Sequence, residues 1–372
     1  MIFLGKLRKF VSVNLVFIIA LIAAVVTSCI IPPDGAYVDY FDFRTLTCLF
    51  CTLAVIKALG NIGFFYALAK DIVRRFGNLR TAVLALVYIT FIGSMLIAND
   101  MALLTFLPLG YFVLRETGNE HHMAFTFIMQ NIAANLGGML TPFGNPQNLF
   151  LYSRFAIPTG EFMGIMLPPF LLSVALITLC CIVFTPAQPL TLTGGMPSLP
   201  KARTAAYLVL FAFSIFIVFR VIPYWTGLIV IPLALIFLDR KALVAVDYPL
   251  LGTFAAFFIF SGNMGRMEAV RALFSSLLEK STMLVSALSC QFISNVPSAI
   301  LLSQFTENYP ELLIGVNIGG CGTLIASLAS LITFRSFLYY NPGKGKKYVL
   351  LFSAFNFGFL LILALAMTLI RG

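Results

Sequence analysis

The sequence predicts an all-α polytopic membrane protein made of two inverted repeats, each with a re-entrant hairpin and a discontinuous transmembrane helix. Three observations lead to this fold class. Apolar runs long enough to cross a bilayer recur from end to end. Three short motifs occur twice, in the same order. The predicted number of crossings between the first and second copies is odd, so the second copy is inverted relative to the first.

The composition supports a membrane protein and excludes several other classes. Of the 372 residues, 60% are hydrophobic and only 10% are charged, well under the roughly 25% charged share of soluble domains. The stretch Phe10–Ile30 is uncharged, long enough to span, and lacks the cleavage site of a signal peptide. No polar stretch exceeds a short loop, so the net charge of +10 resides in loops and does not indicate nucleic-acid binding.

The predicted elements are of three kinds. Regions 80–114 and 282–306 are long enough for two passes but polar in the middle, which predicts hairpins that enter and leave on one side. Regions 122–155 and 311–334 are predicted to be single passes, each broken in the middle. Plain spans are predicted at 11–31, 45–67, 162–185, 204–222, 225–238, 248–265 and 347–370. The resulting units are an N-terminal helix in 1–43, repeat one in 44–186, linker and scaffold helices in 187–245, and repeat two in 246–372.

Basic residues orient this topology. With the N-terminus inside, 16 of the 24 Lys and Arg residues fall in inside segments, seven fall outside, and Lys57 lies within a span. This bias follows the positive-inside rule. It would weaken if either hairpin were a full crossing, because every later loop would change sides. The sequence therefore predicts an inside N-terminus and an outside C-terminus.

The internal repeat rests on three motif pairs. The third pair matches Thr141 with Thr323 and Asn145 with Ser327. Five predicted crossings separate the start of one copy from the start of the next, which is the odd number that inverts a repeat. The pairs are GNIG at Gly60–Gly63 with GNMG at Gly262–Gly265, ANDMALL at Ala98–Leu104 with SNVPSAI at Ser294–Ile300, and GGMLTPFGNPQNL at Gly137–Leu149 with GGCGTLIASLASL at Gly319–Leu331.

The segment TPFGNPQNL, residues 141–149, breaks an otherwise apolar pass. Gly144 and Pro146 interrupt the helix, and Asn145, Gln147 and Asn148 offer polar partners to the freed backbone groups. Broken backbone at bilayer depth is tolerated only where it is buried in protein or lines a cavity. Half-helix N-termini suit an anion, and the freed carbonyls suit a small cation. We expect non-helical backbone over 141–146 and over 323–328. The second break lacks proline and is expected to be shorter.

Two ionisable residues are predicted deep in the membrane, Lys57 and Asp100. Charges at that depth cost several kcal/mol and usually mark function. Asp100 could take up a proton, help to hold a sodium ion, or pair with Lys57. Lys57 could attract an anionic substrate or neutralise Asp100. In the second copy the position of Asp100 is taken by Val296, so the two hairpin tips differ.

Other reactive side chains favour no separate chemistry. Cys48 and Cys51 form a C-x-x-C, but no second pair or His cluster accompanies them, so they read as packing residues. His121 and His122 are interpreted as loop histidines rather than metal ligands. No convergent nucleophile, base or metal set is present in the sequence, and no phosphate-binding loop indicates ATP drive. We therefore expect no enzyme activity, no cofactor, and no metal beyond a sodium ion.

The motifs TPFGNPQNLFLY, ANDMALL and ISNVPSAILL resemble the ion transporter superfamily, over about residues 45–340. That superfamily includes citrate and dicarboxylate permeases, arsenite permeases and one branch of sodium–proton antiporters. The chain is similar above all to short bacterial inner-membrane anion permeases of the superfamily. The resemblance implies an inverted-repeat fold, usually dimeric, that works by an elevator motion with one cation site in each half.

The resemblance also implies site residues. The two cation sites would be formed by Ser94, Ala98, Asn99, Gly144, Asn295 and Ala326, with the loop around Ser294. Substrate would lie near Asn99, Asp100, Asn145, Ser294, Asn295 and Ser327. Dicarboxylate members carry Ser-Asn-Thr at both tips, whereas these tips read Ala-Asn-Asp and Ser-Asn-Val-Pro. The missing threonines put dicarboxylate recognition in doubt, and the added carboxylate favours proton coupling or a less charged substrate.

The sequence thus predicts a secondary transporter of a small anion or oxyanion in the bacterial inner membrane, driven by a proton or sodium gradient through Asp100 and Lys57. Its expected partners are that substrate, the lipid bilayer and a second copy in a homodimer, without nucleic acid. The alternatives are a sodium–proton antiporter with Asp100 as the shared site, or an arsenite-type permease.

Overall fold

The computed structural model describes residues 15–73, 75–190 and 198–371. Within them the chain is helical, and its only β-type pairing is an isolated bridge between Asn78 and Pro189. Six helices are long and apolar enough to cross a membrane by length and composition. The predicted all-α polytopic class is confirmed. The start of the predicted first span, residues 11–14, and the linker residues 191–197 lie outside the described residues.

The described chain forms α-helices of very different lengths, separated by short turns. They are α1 (Leu15–Ile30), α2 (Phe43–Asn61), α3 (Phe64–Val73), α4 (Leu79–Ile97), α5 (Asn99–Glu116), α6 (Met123–Gly137), α7 (Pro146–Arg154), α8 (Thr159–Phe184), α9 (Lys201–Val218), α10 (Tyr224–Leu238), α11 (Arg240–Val244), α12 (Tyr248–Arg266), α13 (Glu268–Lys280), α14 (Thr282–Ile293), α15 (Asn295–Leu302), α16 (Tyr309–Ile318), α17 (Leu328–Tyr340) and α18 (Gly345–Arg371).

Side-chain caps fix where several helices begin. Asp42 accepts the Thr45 N–H at 3.0 Å at the start of α2. Asn78 caps α4, and Asp247 caps α12, in the same way. Each cap satisfies a backbone donor that the first helical turn leaves free, which stabilises a helix by about 1 kcal/mol. Polar residues in the loops therefore set the boundaries of the apolar spans.

Both predicted hairpins are helix pairs that turn at a single residue. α4 meets α5 at Ala98, with φ of 66°, and α14 meets α15 at Ser294, with φ of 73°. A left-handed backbone conformation is costly for a residue with a Cβ and persists only where surrounding contacts hold it. That each pair enters and leaves the membrane on one side stays a prediction.

The two broken helices differ from expectation in one respect. The first break runs from 138 to 145, with a short 3-10 turn at its start, and the second from 319 to 327. The expectation of a shorter second break was wrong. Gly322, with φ of 119°, keeps the chain out of the helix without a proline, because glycine adopts such a conformation freely.

Two further elements were not predicted. The span predicted over 45–67 is divided, because α2 ends at Asn61 and Gly63, with φ of 72°, redirects the chain into α3. The helix α13 is new. It is short and has charged residues at both ends, so it falls below the length of a span. Its Phe274 ring stacks on Phe305 with centroids 5.0 Å apart, which places its apolar side against the hairpin that follows.

The hairpins and broken helices form the interior. α6 packs against α4, α5, α8 and α17, and its residues from 125 to 137 are all buried. In the second half α14 packs against α16. Helix α2 packs against α9 and α10, and α12 packs against α1. The polar breaks are therefore enclosed by the hairpins, with the longer apolar helices around them.

Candidate functional site

The first hairpin tip is hydrogen-bonded to the first break. The Asn99 N–H donates to the Gly144 carbonyl at 3.1 Å. The Thr141 hydroxyl donates to the Met95 carbonyl, near the end of α4, at 2.7 Å. Backbone groups freed by the break are thus partly satisfied by the tip, as buried polar groups require. The turn at Ala98 is held between these two contacts.

The second tip makes equivalent contacts. The Asn295 N–H donates to the Ala326 carbonyl at 2.9 Å. The Thr323 hydroxyl donates to the Gln291 carbonyl at 3.0 Å. Thr323 is the residue that the sequence comparison matches with Thr141, and the two threonines make the same bond. The inverted orientation of the two halves stays a prediction.

An amide network joins the two breaks. Asn145, in the first break, donates to Asn317 Oδ1 on α16 at 3.2 Å. Reciprocally, the Ser327 hydroxyl, in the second break, donates to Asn135 Oδ1 on α6 at 2.8 Å. Asn99 also donates to Asn135 Oδ1, at 3.2 Å. Each break therefore takes a hydrogen-bond partner from the other half of the chain.

Sequence reasoning missed Asn135 and Asn317. A signal was present, because each asparagine stands two residues before a Gly-Gly pair, at Gly137 and Gly319. The matched motifs began at those glycines, so the asparagines fell just outside. Both are almost fully buried, with 2% and 1% of their surface exposed, and both contact the opposite break.

Three buried oxygens in this region have no hydrogen-bond partner among the described residues. They are Asp100 Oδ1, Asn145 Oδ1 and Gln147 Oε1. Gln147 is 1% exposed, and its amide nitrogen donates to Asn317 Oδ1 at 3.3 Å. More than nine in ten buried polar groups in folded proteins have a partner, so acceptors clustered in this way are expected where a ligand binds.

A cavity of about 560 Å³ connects the two tips. Asn99, Asp100, Ser294 and Asn295 line it, and Gln147 lies in the same wall. The rest of the lining is mostly apolar and comes largely from α1, α12 and α14. Among the described residues, Asp100 is the only charged one in the lining. The volume suits a small molecule.

Two predicted substrate residues stand apart from this cavity. Asn145 and Ser327 are not in its lining and are 1% and 0% exposed. Both lie behind the wall, in the amide network. Gln147, which sequence reasoning assigned only to the helix break, lines the cavity instead. A role of Asn145 or Ser327 in substrate binding stays a prediction.

A second cavity of about 70 Å³ lies on the other side of Asp100. Its wall includes Lys57 of α2, Ala98 at the tip, and Asp247 before α12. Among the described residues, Lys57 and Asp100 share this cavity but form no ion pair. The alternative that they form a structural pair is therefore wrong for this structure.

The predicted cation-site residues lie at the tips and in the breaks that contact them, and their role in cation binding stays a prediction. The Ser94 hydroxyl donates to the Phe91 carbonyl at 2.8 Å, and the Ala98 carbonyl accepts the Ala102 N–H. The carbonyls of Gly144 and Ala326 accept the tip N–H groups described above. In the second half, Cys290 stands four residues before the tip residue, where Ser94 stands in the first.

No metal centre accompanies these groups. Within residues 15–73, 75–190 and 198–371, no three His, Cys, Asp or Glu side chains are placed to hold a metal ion. Cys48 and Cys51 are buried as free thiols on α2. His121 and His122 lie in a short 3-10 turn before α6, with ring centroids 4.2 Å apart.

The family model described as citrate transporter matches residues 1–308. The chain belongs to the citrate transporter family. It is also 31% identical over 295 residues to the uncharacterized transporter MJ0456 of Methanocaldococcus jannaschii, covering 79% of this chain and 81% of that protein.

Two further relatives are similar in sequence. The inner membrane protein YbiR of Escherichia coli is 30% identical over 305 residues, 79% of this chain and 80% of that protein. The silicon efflux transporter LSI3 of Oryza sativa is 31% identical over a shorter stretch of 143 residues, 38% of this chain and 29% of that protein. With its apolar helices, this member of the citrate transporter family is an integral membrane protein and a secondary transporter.

Proposed function

We propose that the protein couples the movement of a small anion or oxyanion to a proton gradient, with Asp100 as the coupling group. The observation that carries this proposal is the position of Asp100. Its Oδ1 is buried without a hydrogen-bond partner in the described chain, and its side chain lies between two cavities at the first hairpin tip. A carboxylate at membrane depth is energetically costly, and such a residue therefore usually marks function.

The larger cavity favours a substrate of low charge. Its polar lining, as far as the described residues form it, consists of amide and hydroxyl groups together with Asp100, without a basic side chain. Moving a dicarboxylate into such a site would leave two negative charges unpaired, which is expensive in a low-dielectric site. A monovalent oxyanion, or the neutral acid that carries the proton with it, fits the lining better.

Proton coupling fits the tips better than sodium coupling. Sodium, like other hard cations, prefers oxygen ligands. The second half places the Cys290 thiol where the first places the Ser94 hydroxyl, and the Gly144 and Ala326 carbonyls each already accept a tip N–H. Only the first half therefore offers a hydroxyl at this position, whereas Asp100 supplies a proton-accepting group directly.

We further propose that the tips and broken helices move together as one body in an elevator motion, in a homodimer. Their packing supports this, because both tips are bonded to the breaks and the breaks are bonded to each other. Helices α1, α2, α9, α10 and α12 would form the static part. An inside N-terminus and an outside C-terminus belong to the same proposal.

The test is uptake by purified full-length protein in proteoliposomes. Uptake would be measured under an imposed proton gradient, a sodium gradient, or neither. The radiolabelled probes are citrate, citrate with magnesium, arsenite, phosphate, and germanic acid as an analogue of silicic acid. Germanic acid is included because the rice relative is a silicon efflux transporter. We expect one low-charge species to accumulate with the proton gradient alone.

Asp100→Asn is the matched variant, because it keeps side-chain size and hydrogen bonding. It should fold normally yet lose gradient-driven accumulation. Accumulation that persists in folded Asp100→Asn would contradict the coupling role. The second candidate is a sodium–proton antiporter, which the same carboxylate at the tip also permits. Proton movement across the vesicle membrane that is driven by a sodium gradient, without any organic or oxyanion substrate, would identify it.

A further inference from the structure

Asp100 stands at the junction of the two cavities. It lines both, together with Pro146, Leu250 and Leu328. The larger cavity extends from Asp100 towards the second tip, and the smaller one extends from it towards α2 and the start of α12. A group in this position can exchange a proton with one cavity while substrate occupies the other.

The smaller cavity contains the other ionisable groups near Asp100. Lys57 lies on α2, and Asp247 precedes α12. Within the part of the chain that the structure describes, these two and Asp100 are the only charged residues in the lining. The remaining wall is apolar except for Thr52. Asp247 is exposed, and its Oδ1 accepts the Leu250 N–H at 3.0 Å. Sequence reasoning gave Asp247 no role.

Lys57 and Asp247 lie towards the same face of the protein. The last residue of α2, Asn61, donates to Asp239 Oδ2 at 2.8 Å, in the turn before α11. The C-terminal end of α2, with Lys57, therefore lies beside the segment that carries Asp247. In the predicted topology this face is the cytoplasmic one. A volume of about 70 Å³ holds at least about two water molecules, and the polar groups in the wall can bind them.

We propose that the smaller cavity is the passage by which protons travel between the cytoplasmic face and Asp100, with Asp247 as the outer exchanging carboxylate. This inference rests on the proton coupling proposed above. The proton leaves the Asp247 carboxyl group, passes along hydrogen-bonded water, and arrives on Asp100 Oδ1; release follows the reverse order.

The first experiment asks whether water occupies the cavity and needs neither substrate nor gradient. Hydroxyl radicals generated by radiolysis in full-length protein in liposomes oxidise side chains beside bound water. Met101 and Met95 are both half-buried, and of these two only Met101 lines the cavity. Oxidation of Met101, read by mass spectrometry, should be several-fold faster than that of Met95. Equal rates would overturn the passage, whatever the protein transports.

The second experiment asks whether Asp247 serves that passage. Asp247→Asn retains the helix cap, since asparagine caps as well as aspartate. Asp239→Asn is the control, because Asp239 caps α11 nearby but does not line the cavity. Asp247→Asn should slow proton-driven uptake several-fold and leave substrate–substrate exchange unchanged, because exchange requires no proton passage. Equal effects of the two variants, or equal loss of exchange, would refute the role of Asp247.

Discussion

Truncation of Asn317 should destabilise the protein more than its size suggests. The side chain accepts from Asn145 at 3.2 Å and Gln147 at 3.3 Å, and it donates to Asn148 Oδ1 at 2.6 Å. In Asn317→Ala, the Asn145 amide keeps a bond to the Asn135 carbonyl. The Gln147 nitrogen and Asn148 Oδ1 lose the partners they have here.

Two orphaned buried groups set the magnitude. Each costs about 1–3 kcal/mol, so the free energy of unfolding should fall by about 2–6 kcal/mol. An unfolding entropy of about 2.1 cal/mol/K per residue turns this into a drop of roughly 3–8 °C in the apparent midpoint. The assay is thermal unfolding of detergent-solubilised protein at a fixed scan rate, because such unfolding is often irreversible.

The control for this prediction is Asn61→Ala. Asn61 also donates through its side-chain amide, at 2.8 Å to Asp239, but in an exposed position where water replaces the lost bond. Its midpoint should therefore change little. An Asn317→Ala midpoint no lower than that of Asn61→Ala would refute the argument that the buried network stabilises the two breaks.

Three further outcomes are expected. Gly322→Ala should lower the unfolding midpoint, because φ is 119° there and a Cβ would meet a side-chain oxygen at 2.1 Å, whereas Gly35→Ala, with open space around it, should not. Arg220→Met should lower the same midpoint, since the guanidinium donates to the Tyr152 carbonyl in α7 and to the Ile157 carbonyl after it, and lies over the Tyr152 ring. Arg220→Lys should recover only part of this loss. Arg266 beside Asp34 lowers the pKa of that carboxyl group in the folded protein. The stability that this pair contributes is therefore present above the unfolded-state pKa of Asp34 and is lost as pH falls through its folded-state pKa. Asp34→Asn should make the unfolding midpoint depend less on pH in this acidic range, and an unchanged pH dependence would contradict the role of the pair.

The sequence was most informative where composition and backbone chemistry act locally. Apolar length predicted the long helices, and Pro146 with Gly144 predicted the first break. The second break was misjudged because proline was taken as the main breaker, whereas Gly322 keeps the chain out of the helix without one. The helix α13 was missed because an amphipathic helix of this length gives no spanning signal.

The site was predicted only in part, because its groups meet through tertiary packing. The tip residues Asn99 and Asn295 follow from the repeated motifs. Asn135 and Asn317 lie on helices whose sequences give no sign of a site. Their partners in the opposite break are brought near only when the two halves pack together. Asp247 lies in a loop far along the chain, and its place beside Asp100 depends on how α12 packs.

The reciprocal bonds between the breaks also bear on how the protein is made. While the first half is being synthesised, the Gln147 side-chain nitrogen and Asn148 Oδ1 have no Asn317 to bond. A chain that ends after α10 would leave these two groups unsatisfied inside the membrane, where water does not replace the missing partners. The first half therefore reaches its final state only after the second has been inserted. When the two halves are co-expressed as separate chains, both should accumulate. When either half is expressed alone, it should be degraded.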